Sequence, residues 1–482
     1  MNETNFDEPA VVLLHSNDIH SRLENAARMA SYIADTRRQY GAEHVLLLDI
    51  GDHMDRMRLE TEGSDGDVNI ALMNAAGYEA VTVGNNEGLT FTMEQLANAY
   101  ALEARFPVIC ANMKRSGASD LPEWMQPSII VDKGGLKIGL IGATAAFSEF
   151  YTLLDWEVTE PLAAIRTEVE RLRSQVDVIV IMSHLGILLD RKMAESIPGI
   201  DLILGGHTHH LLEEPEIIGQ TYVCAAGKFG EYIGRVEIAV DPASGRPRYR
   251  VACVPVAAWE LEQSAAEIIE QYHTLASERL SHVVAYLEQP LESRTSHESP
   301  LANLLAAGLR SWTDAQIGIV NAGQLLGSLA VGEVTAGQLH ALCPSPINPC
   351  RMQLSGSAIR QALEESLLTE FKEKPIRGFG FRGLVLGTLA VDGLEIDFDP
   401  DAPPYEKITA IHVDGAELDL ERNYIVGTID MFTFGVGYLS IKSGTDIQYY
   451  LPEFIRGVLA EQLKDEALIA DSGRSRWHSV RD

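Results

Sequence analysis

Residues 11–20 read VVLLHSNDIH, a short apolar run that stops in a polar cluster. Similar short runs rich in β-branched residues return downstream, in HVLLLDI (44–50), AVTV (80–83), PVICAN (107–112), KIGLIGAT (137–144), DVIVIMS (177–183) and DLILGG (201–206). Stretches with helical periodicity separate these runs as far as about residue 255. This alternation predicts an α/β domain in which helices flank a sheet.

Polar clusters follow several of the predicted strands. They are residues 17–20, 51–53, 84–87, 183–184 and 205–210. Open α/β sheets bind their ligands just beyond the carboxyl ends of the strands. The clusters therefore predict a binding site at that edge of the sheet.

The clusters are rich in residue types that bind metal ions. They hold two carboxylates, four imidazoles and one carboxamide, namely Asp18, Asp52, His20, His184, His207, His209 and Asn85. Each could singly be a cap or a hydrogen-bonded core residue, but five strand ends that all stop in ligand chemistry favour a metal site. These ligands together suit zinc, manganese or iron, and a carboxylate between two sets can bridge two ions.

The overall charge limits the partners of the protein. The 482 residues include 69 acidic and 38 basic side chains, a formal net charge of −31 at pH 7. Such an excess repels phosphate backbones and anionic bilayers, so we expect neither a nucleic acid nor a membrane as partner. The apolar runs are also far shorter than the ~20 residues of a spanning helix. The length predicts two or three folded domains.

Two features favour a cytoplasmic location. The first ten residues, MNETNFDEPA, are acidic and polar and lack the basic and apolar regions of a signal peptide. The five cysteines are odd in number and scattered, at positions 110, 224, 253, 343 and 350. This usage suits reduced thiols better than a disulfide framework.

Helical periodicity predicts one long helix over residues 260–287, which we interpret as a bridge between domains. Mixed elements follow it, and another helix is expected near residues 452–463. The resulting division is a first domain at 1–258, a linking helix at 259–287 and a second domain at 288–482.

The ordered motifs resemble a known family. DIH (18–20), GDH (51–53), GNNE (84–87), SH (183–184) and GGHTHH (205–210) are similar to the motif set of calcineurin-like metallophosphoesterases. SHESPLANLLAAGLR (296–310), NAGQ (321–324), LSG (354–356) and FGVGY (434–438) resemble the 5′-nucleotidase C-terminal domain. The whole chain resembles the bacterial 5′-nucleotidase and UDP-sugar hydrolase family in its cytosolic, YunD-like subgroup. That resemblance implies a four-layer α/β/β/α sandwich, a linking helix and a C-terminal α+β domain.

The resemblance also implies a site with two divalent ions, manganese, zinc, iron or cobalt. One ion would be held by Asp18, His20, Asp52 and His209, and the other by Asp52, Asn85, His184 and His207, so that Asp52 bridges. A metal-bound hydroxide would attack the phosphoryl group. The catalytic residues implied are Asp52, Asn85, Asn86 and His184.

Three motifs depart from the family pattern, at four positions. The usual GNHE reads GNNE, so Asn86 replaces a histidine, and Leu89 replaces the aspartate that orients it. GGIR reads GQLL, with Leu326 in place of a phosphate-binding arginine, and GGDGY reads FGVGY, with Val436 in place of an aspartate. Metal binding is therefore better supported than the nucleotide specificity.

The expected substrate contacts lie in the second domain. They are Phe432 and Phe434 as stacking residues, with Asn321 and Arg351. Core packing is the alternative for a phenylalanine of this loop. Arg351, Arg377 or Arg382 could replace the lost phosphate contact, and the alternative for each is a surface arginine.

These observations predict a dinuclear metal phosphohydrolase that acts on a nucleotide or another small phosphorylated metabolite. Two alternatives stay open. One is a phosphodiesterase with the same metal core, and the other is a non-catalytic metal- or nucleotide-binding relative. The oligomeric state is not indicated by the sequence.

Overall fold

A computed structural model of the chain describes residues 8–481. The chain divides into two compact units, with the boundary between Ala276 and Ser277. None of the helices in the described residues combines the length and the apolar content that crossing a bilayer requires.

The first unit alternates strands and helices. Its strands are β1 (Val11–Ser16), β2 (Val45–Asp49), β3 (Ala80–Val81), β4 (Val108–Ile109), β5 (Met113–Arg115), β6 (Met125–Gln126), β7 (Ser128–Lys133), β8 (Leu136–Thr144), β9 (Trp156–Val158), β10 (Val178–His184), β11 (Leu202–Gly205), β12 (Glu216–Ile218), β13 (Thr221–Ala225), β14 (Tyr232–Val240) and β15 (Pro247–Pro255). Its helices are α1 (Leu23–Tyr40), α2 (Leu59–Gly63), α3 (Asp67–Ala76), α4 (Asn85–Thr90), α5 (Met93–Ala97), α6 (Ser148–Leu153), α7 (Pro161–Leu172), α8 (Ile187–Ser196) and α9 (Gln263–Arg279), with a π-helical segment at Asn98–Glu103.

Two sheets form the centre of this unit. One has seven strands in the order β15-β14-β1-β2-β3-β4-β6, and the other has six in the order β12-β13-β11-β10-β8-β7. Leu13 and Leu48 of the first sheet share a buried cluster with Leu140, Val180 and Leu204 of the second. The two sheets therefore pack face to face, and their apolar strands are covered on both sides.

Helices cover the outer faces of both sheets. Ile179 and Ile203 of the six-stranded sheet pack on Ile165 and Val169 of α7. On the other side, Val12 and Leu14 alternate with the inward-facing Leu13 and are also fully buried, and α1 packs against β2. The expected four-layer α/β/β/α sandwich is confirmed. All seven predicted strands are present with ends shifted by a few residues.

The long helix predicted over residues 260–287 is wrong beyond Arg279. Helix α9 ends at Arg279, and residues 283–287 form strand β16, which pairs antiparallel with Gly332–Thr335. The sequence there is VVAYL, and β-branched and aromatic residues favour a strand once a partner strand is present. The partner lies some distance away in sequence, so local periodicity could not reveal it.

Helix α9 packs on the first unit through most of its length. Ala265 belongs to a buried cluster with Leu23 and Ala27 of α1, and Ile268 and Ile269 pack against the same cluster. We therefore propose that α9 is part of the first domain, and that the domain boundary follows it.

This packing predicts the outcome of a truncation. A fragment of residues 1–279 should fold, whereas one ending at Ala258 exposes the apolar surface that α9 covers. We expect the shorter fragment to lose about 2–4 kcal/mol of unfolding free energy, since Ile268 and Ile269 each bury part of a side chain. Urea denaturation of both fragments measures this difference. Equal stability would show that α9 contributes nothing to the first domain.

The second unit is an α+β domain. Its strands are β16 (Val283–Leu287), β17 (Ile317–Asn321), β18 (Gly332–Thr335), β19 (Pro349–Ser355), β20 (Leu389–Asp392), β21 (Glu395–Phe398), β22 (Ile408–Val413), β23 (Ala416–Glu417), β24 (Asn423–Ile429), β25 (Thr445–Tyr449) and β26 (Trp477–Ser479). Its helices are α10 (Pro300–Trp312), α11 (Ala336–Leu342), α12 (Gly356–Ser366), α13 (Thr369–Lys372), α14 (Asp430–Thr433), α15 (Ile455–Gln462) and α16 (Glu466–Ser472).

A mixed five-stranded sheet, β20-β17-β24-β19-β25, lies at the centre of the second unit beside a four-stranded sheet, β23-β22-β21-β26. Helix α10 begins with Pro300, which suits the first helical turn because its missing N–H needs no partner there. Its buried residues Leu304 and Leu305 share one core with Ile319 of β17 and Val426 of β24. This core is separate from that of the first unit.

Candidate metal centre

The first group of candidate ligands follows strands β1 and β11. One ligand atom each of Asp18, His20 and His209 lies within 4.8 Å of the others. The Nε2 atoms of His20 and His209 are 3.1 Å apart, and Asp18 Oδ1 is 3.4 Å from His209 Nε2. The His207 backbone N–H donates to both carboxylate oxygens of Asp18, so this carboxylate is held in place.

The second group follows strands β2, β3, β10 and β11. Asp52 Oδ2 lies 3.4 Å from His184 Nε2, and Asn85 Oδ1 lies 3.2 Å from the same nitrogen. His207 Nδ1 is 2.7 Å from Asn85 Oδ1. The four polar side chains thus form a chain of contacts that ends on Asp52.

The two groups meet at one carboxylate oxygen. Asp52 Oδ2 also lies 3.9 Å from His20 Nε2, a residue of the first group. Asp18, Asp52 and His184 form a further set with ligand atoms within 4.8 Å of one another. All seven side chains singled out in the sequence therefore converge, and the oxygen of Asp52 lies between the two groups.

The backbone at these residues is strained. Asp18, His20, Asp52, His207 and His209 all have positive φ, between 47° and 71°. A left-handed conformation is unusual for residues other than glycine, and such residues cluster at functional sites because the surrounding structure must hold them there. The strain coincides with five of the seven candidate ligands.

Glu87 fixes the loops that carry the second group. Its carboxylate is buried and accepts hydrogen bonds from the backbone N–H groups of Asp52, Met54 and Gly84. Gly84 allows this approach, because a Cβ there would clash with Asp52 Oδ1. Burial and the nearby Asp52 charge raise the pKa of Glu87 to about 7, and the hydrogen bond from the Met54 N–H opposes this rise.

The electrostatics of the centre favour a cation. Burial would raise the pKa of Asp52, but the charges of His184 and His20 outweigh burial and lower it. Burial would lower the pKa of His184, but Asp52 raises it to about 10. The buried Asp52 carboxylate therefore remains ionised, and positive charge beside it is stabilised. The donor set of carboxylate oxygens and imidazole nitrogens fits divalent transition metals.

The tautomer of His184 is also suited to a metal. Its Nδ1 lies 2.8 Å from the carbonyl oxygen of Ile50, which can only accept a hydrogen bond. Nδ1 therefore carries a proton, and Nε2, which faces Asp52 and Asn85, is the nitrogen at which a metal ion would replace a proton. Metal-binding histidines are commonly oriented in this way.

Asn86 occupies the position at which the family pattern has a histidine that acts as a general acid. Its backbone N–H donates to Asp52 Oδ1 at 2.7 Å, and its side-chain amide lies 2.6 Å from His20 Nδ1. The sequence did not single out Asp55, yet Asp55 Oδ2 lies 3.4 Å from the same nitrogen of His20. An aspartate three residues after the candidate ligand Asp52 is the sequence signal that could have pointed to it.

The expected substrate contacts of the second unit are placed differently from one another. Phe432 is fully buried and packs edge-on against Tyr438, so it is a core residue. Asn321 is also fully buried and donates to the carbonyl of Leu386. Arg351 is half-buried, and its guanidinium lies 3.5 Å from the carbonyl of Thr313. Phe432 and Asn321 therefore belong to the core of the second unit.

Phe434 is the exposed member of the expected set. It is 38% exposed, and its ring centroid lies 5.8 Å from that of Phe379, which is 55% exposed. Phe379 was not predicted, although it lies between two glycines in the segment GFG (378–380). The structure thus brings together an exposed aromatic pair in the second unit.

Comparisons with known proteins agree with both parts of the chain. Residues 11–211 match the calcineurin-like phosphoesterase family, and residues 282–439 match the 5′-nucleotidase C-terminal domain. The uncharacterized metallophosphoesterase YunD of Bacillus subtilis (strain 168) is 36% identical over 456 residues, which cover 94% of this chain and 98% of YunD.

More distant relatives extend the comparison. The 5′-nucleotidase of Homo sapiens is 25% identical over 74% of this chain and 72% of its own. A crystal structure of a 5′-nucleotidase precursor from Thermus thermophilus shares the fold, with a TM-score of 0.61, 24% identity, and coverage of 98% of this chain and 99% of that one. The chain therefore belongs to the calcineurin-like metallophosphoesterases that carry a 5′-nucleotidase C-terminal domain, and it is a hydrolase of that family.

Proposed function

We propose that the protein is a dinuclear metal-dependent phosphohydrolase that acts on nucleotides or related small phosphate esters and anhydrides. The observation that carries the proposal is the position of Asp52 Oδ2, 3.4 Å from His184 Nε2 and 3.9 Å from His20 Nε2. A carboxylate oxygen shared by two groups of imidazoles is the arrangement that bridging two cations requires.

The residues divide between two proposed ions. Asp18, His20 and His209 would hold one ion, Asn85, His184 and His207 would hold the other, and Asp52 would bridge them. Two divalent cations supply positive charge to the phosphoryl oxygens and lower the pKa of bound water. Manganese, zinc, iron and cobalt all suit this donor set.

The protein residues around the ions set the geometry. The Ile50 carbonyl fixes the ring of His184, and the Asn86 backbone N–H fixes the second oxygen of Asp52. The Asn86 side-chain amide can donate a hydrogen bond to a phosphoryl or leaving-group oxygen, yet it cannot donate a proton. The family histidine would protonate the leaving group, and Asn86 cannot replace it in that step.

We further propose that Phe379 and Phe434 recognise the organic part of the substrate. The rings are in contact at 5.8 Å, and both retain exposed surface. Bases stack on aromatic side chains of this kind. The names of relatives such as the human 5′-nucleotidase support a nucleotide as substrate.

The aromatic pair gives a testable expectation. Replacing Phe379 or Phe434 with alanine should raise KM for a nucleotide about 10-fold, since stacking on a base is worth roughly 1–3 kcal/mol. KM for p-nitrophenyl phosphate, a substrate without a base, should change much less. Leu384, which is 84% exposed in the same region of sequence, provides a matched control as Leu384→Ala. Equal changes in KM for both substrates would show that Phe379 and Phe434 do not recognise the base.

A hydrolysis screen tests the proposed function. Purified protein is stripped with a chelator and reloaded with manganese, zinc or cobalt in turn. It is then given mononucleotides, dinucleotides, sugar-linked nucleotides and diesters. We expect turnover of mono- or diphosphate substrates that depends on added metal. Turnover of diesters alone would favour a phosphodiesterase, which uses the same metal core. Absence of turnover with every metal would contradict the proposal.

We also propose that the protein works in a reducing compartment, the cytoplasm. All five cysteines are free, and four of them are buried. Burial raises the pKa of Cys110 and of Cys343 to about 12, so these thiols are unreactive core residues. Fractionation of the cells that naturally make the protein would show whether it is in the cytoplasm.

A further inference from the structure

The loop between β13 and β14 places an aromatic ring beside the metal centre. The ring centroid of Phe229 lies 5.8 Å from that of His20 and 6.4 Å from that of His209. Phe229 has a φ of 59°, which is a strained conformation for a bulky residue. Its position is fixed at both backbone groups, because its N–H donates to the Asp18 carbonyl and its carbonyl accepts from Asn25.

Two cations lie over this ring. The Arg22 guanidinium carbon is 4.8 Å from the ring centroid, and the Lys228 ammonium nitrogen is 4.5 Å from it. Both distances are those of cation–π contacts, which hold a cation in place without neutralising it. Both side chains are half-buried.

Neither cation has an acidic partner in the part of the chain that the structure describes. Other arginines of the same unit form ion pairs, such as Arg56 with Glu62 and Arg235 with Glu237. The protein carries a net charge of −31, yet these two cations lie over one ring with no carboxylate partner among the described residues. Keeping two like charges together costs free energy unless an anion binds them.

We propose that Arg22, Lys228 and Phe229 form an anion subsite that binds a second phosphate of the substrate. This inference rests on the proposed function and names its substrate class, which is a phosphate anhydride with at least two phosphates. One phosphate would bind at the metal centre. The neighbouring phosphate meets the guanidinium and the ammonium group on Phe229.

The chemistry of the two cations suits such a group. A guanidinium offers several N–H donors in one plane and matches two oxygens of a phosphate, and an ammonium adds a compact charge. A monophosphate ester has no second phosphate for them. The subsite therefore distinguishes diphosphates from monophosphates at the binding step, and it does so independently of leaving-group chemistry.

The test uses charge-neutral variants of the full chain. Arg22→Gln, Lys228→Gln and the double variant remove the charges, and Phe229→Leu removes the aromatic face while keeping an apolar side chain. Lys192→Gln, an exposed lysine of α8, is the control for net charge. We measure kcat/KM for the mono- and diphosphate of one nucleoside, and the affinity of the manganese-loaded proteins for its α,β-methylene diphosphate by calorimetry.

We expect each charge removal to lower the diphosphate-to-monophosphate ratio of kcat/KM about 10-fold, which is the usual effect of a charge-assisted hydrogen bond. The affinity for the methylene diphosphate should fall in parallel, and Phe229→Leu should lower it about 3-fold. Lys192→Gln should leave both quantities unchanged. A ratio and an affinity that do not change in the double variant would overturn the subsite.

Failure of the subsite and failure of the proposed function give different results. Wild-type turnover with an unchanged ratio in the variants rejects the subsite and leaves the phosphohydrolase intact. Absence of wild-type turnover rejects the proposed function. In that case the calorimetric titration still decides whether Arg22 and Lys228 bind a diphosphate.

Discussion

Asp52→Asn should remove most of the bound metal and lower phosphohydrolase activity about 1,000-fold or more. Asp52 Oδ2 lies between the imidazoles of His20 and His184, so it is the proposed ligand of both ions. An asparagine has nearly the same shape but no charge, and the loss of a bridging carboxylate costs several kcal/mol of electrostatic stabilisation. Elemental analysis of the purified variant and a turnover assay measure the two effects.

Two further variants serve as comparisons for Asp52→Asn. His20→Ala removes a proposed ligand of one ion alone, so about half of the metal should remain. Asp49→Asn is the matched control, because Asp49 is buried nearby but accepts from Ser16 and from the Gly51 N–H. That variant should keep both ions. Full metal occupancy in the Asp52 variant would show that the bridging assignment is wrong.

Phosphate anhydrides should be cleaved faster than nucleoside monophosphates. A monophosphate expels a ribose alkoxide, whose protonation in the transition state is worth about 10²–10⁴-fold. Asn86 cannot supply that proton. An anhydride expels a phosphate with a second pKa of ~6, which can leave unprotonated at neutral pH. The ratio of kcat/KM for a sugar-linked diphosphate and a monophosphate of one nucleoside measures the preference.

The missing acid can be restored. The double variant Asn86→His with Leu89→Asp rebuilds the family pair, and we expect it to raise monophosphate turnover by about 10-fold or more. Anhydride turnover should change much less, so the ratio of kcat/KM for the anhydride to that for the monophosphate should fall. A wild-type preference for the monophosphate would mean that another residue donates the proton.

Two histidines were candidates for that replacement. His53 is buried, its Nδ1 contacts Asn69, and burial lowers its pKa to about 4. It is therefore neutral at pH 7 and poorly placed to donate. His210 is exposed, and its Nδ1 contacts Thr208. His210→Asn should thus be tested first if the monophosphate is preferred, with His53→Asn as its control.

Much of the first unit follows from local sequence. A strand covered on both faces needs a continuous apolar run. VVLLHS (11–16) and DVIVIMS (177–183) are such runs, so they predict buried strands. The metal-binding residue types stand out because they stop these runs at the carboxyl ends. The convergence of Asp18 with His209 then requires only that the strands share a sheet edge.

Features decided by contacts between distant residues were not accessible in this way. Residues 283–287 become a strand because Gly332–Thr335 pairs with them. Phe432 enters the core beside Tyr438, whereas Phe434, two residues later, meets Phe379 at the surface. Both phenylalanines look alike in sequence, and only the packing around them distinguishes a core residue from an exposed one.

The sequence by itself determined the α/β alternation of the first unit and the set of candidate metal-binding side chains. Both depend on the order of apolar and polar residues along one strand, which is a local property. The tertiary structure alone decided the distances at which Asp52 lies from His20 and His184, and that Arg22 and Lys228 share the ring of Phe229. Those positions depend on backbone strain and side-chain contacts between residues far apart in the chain, which no local pattern encodes.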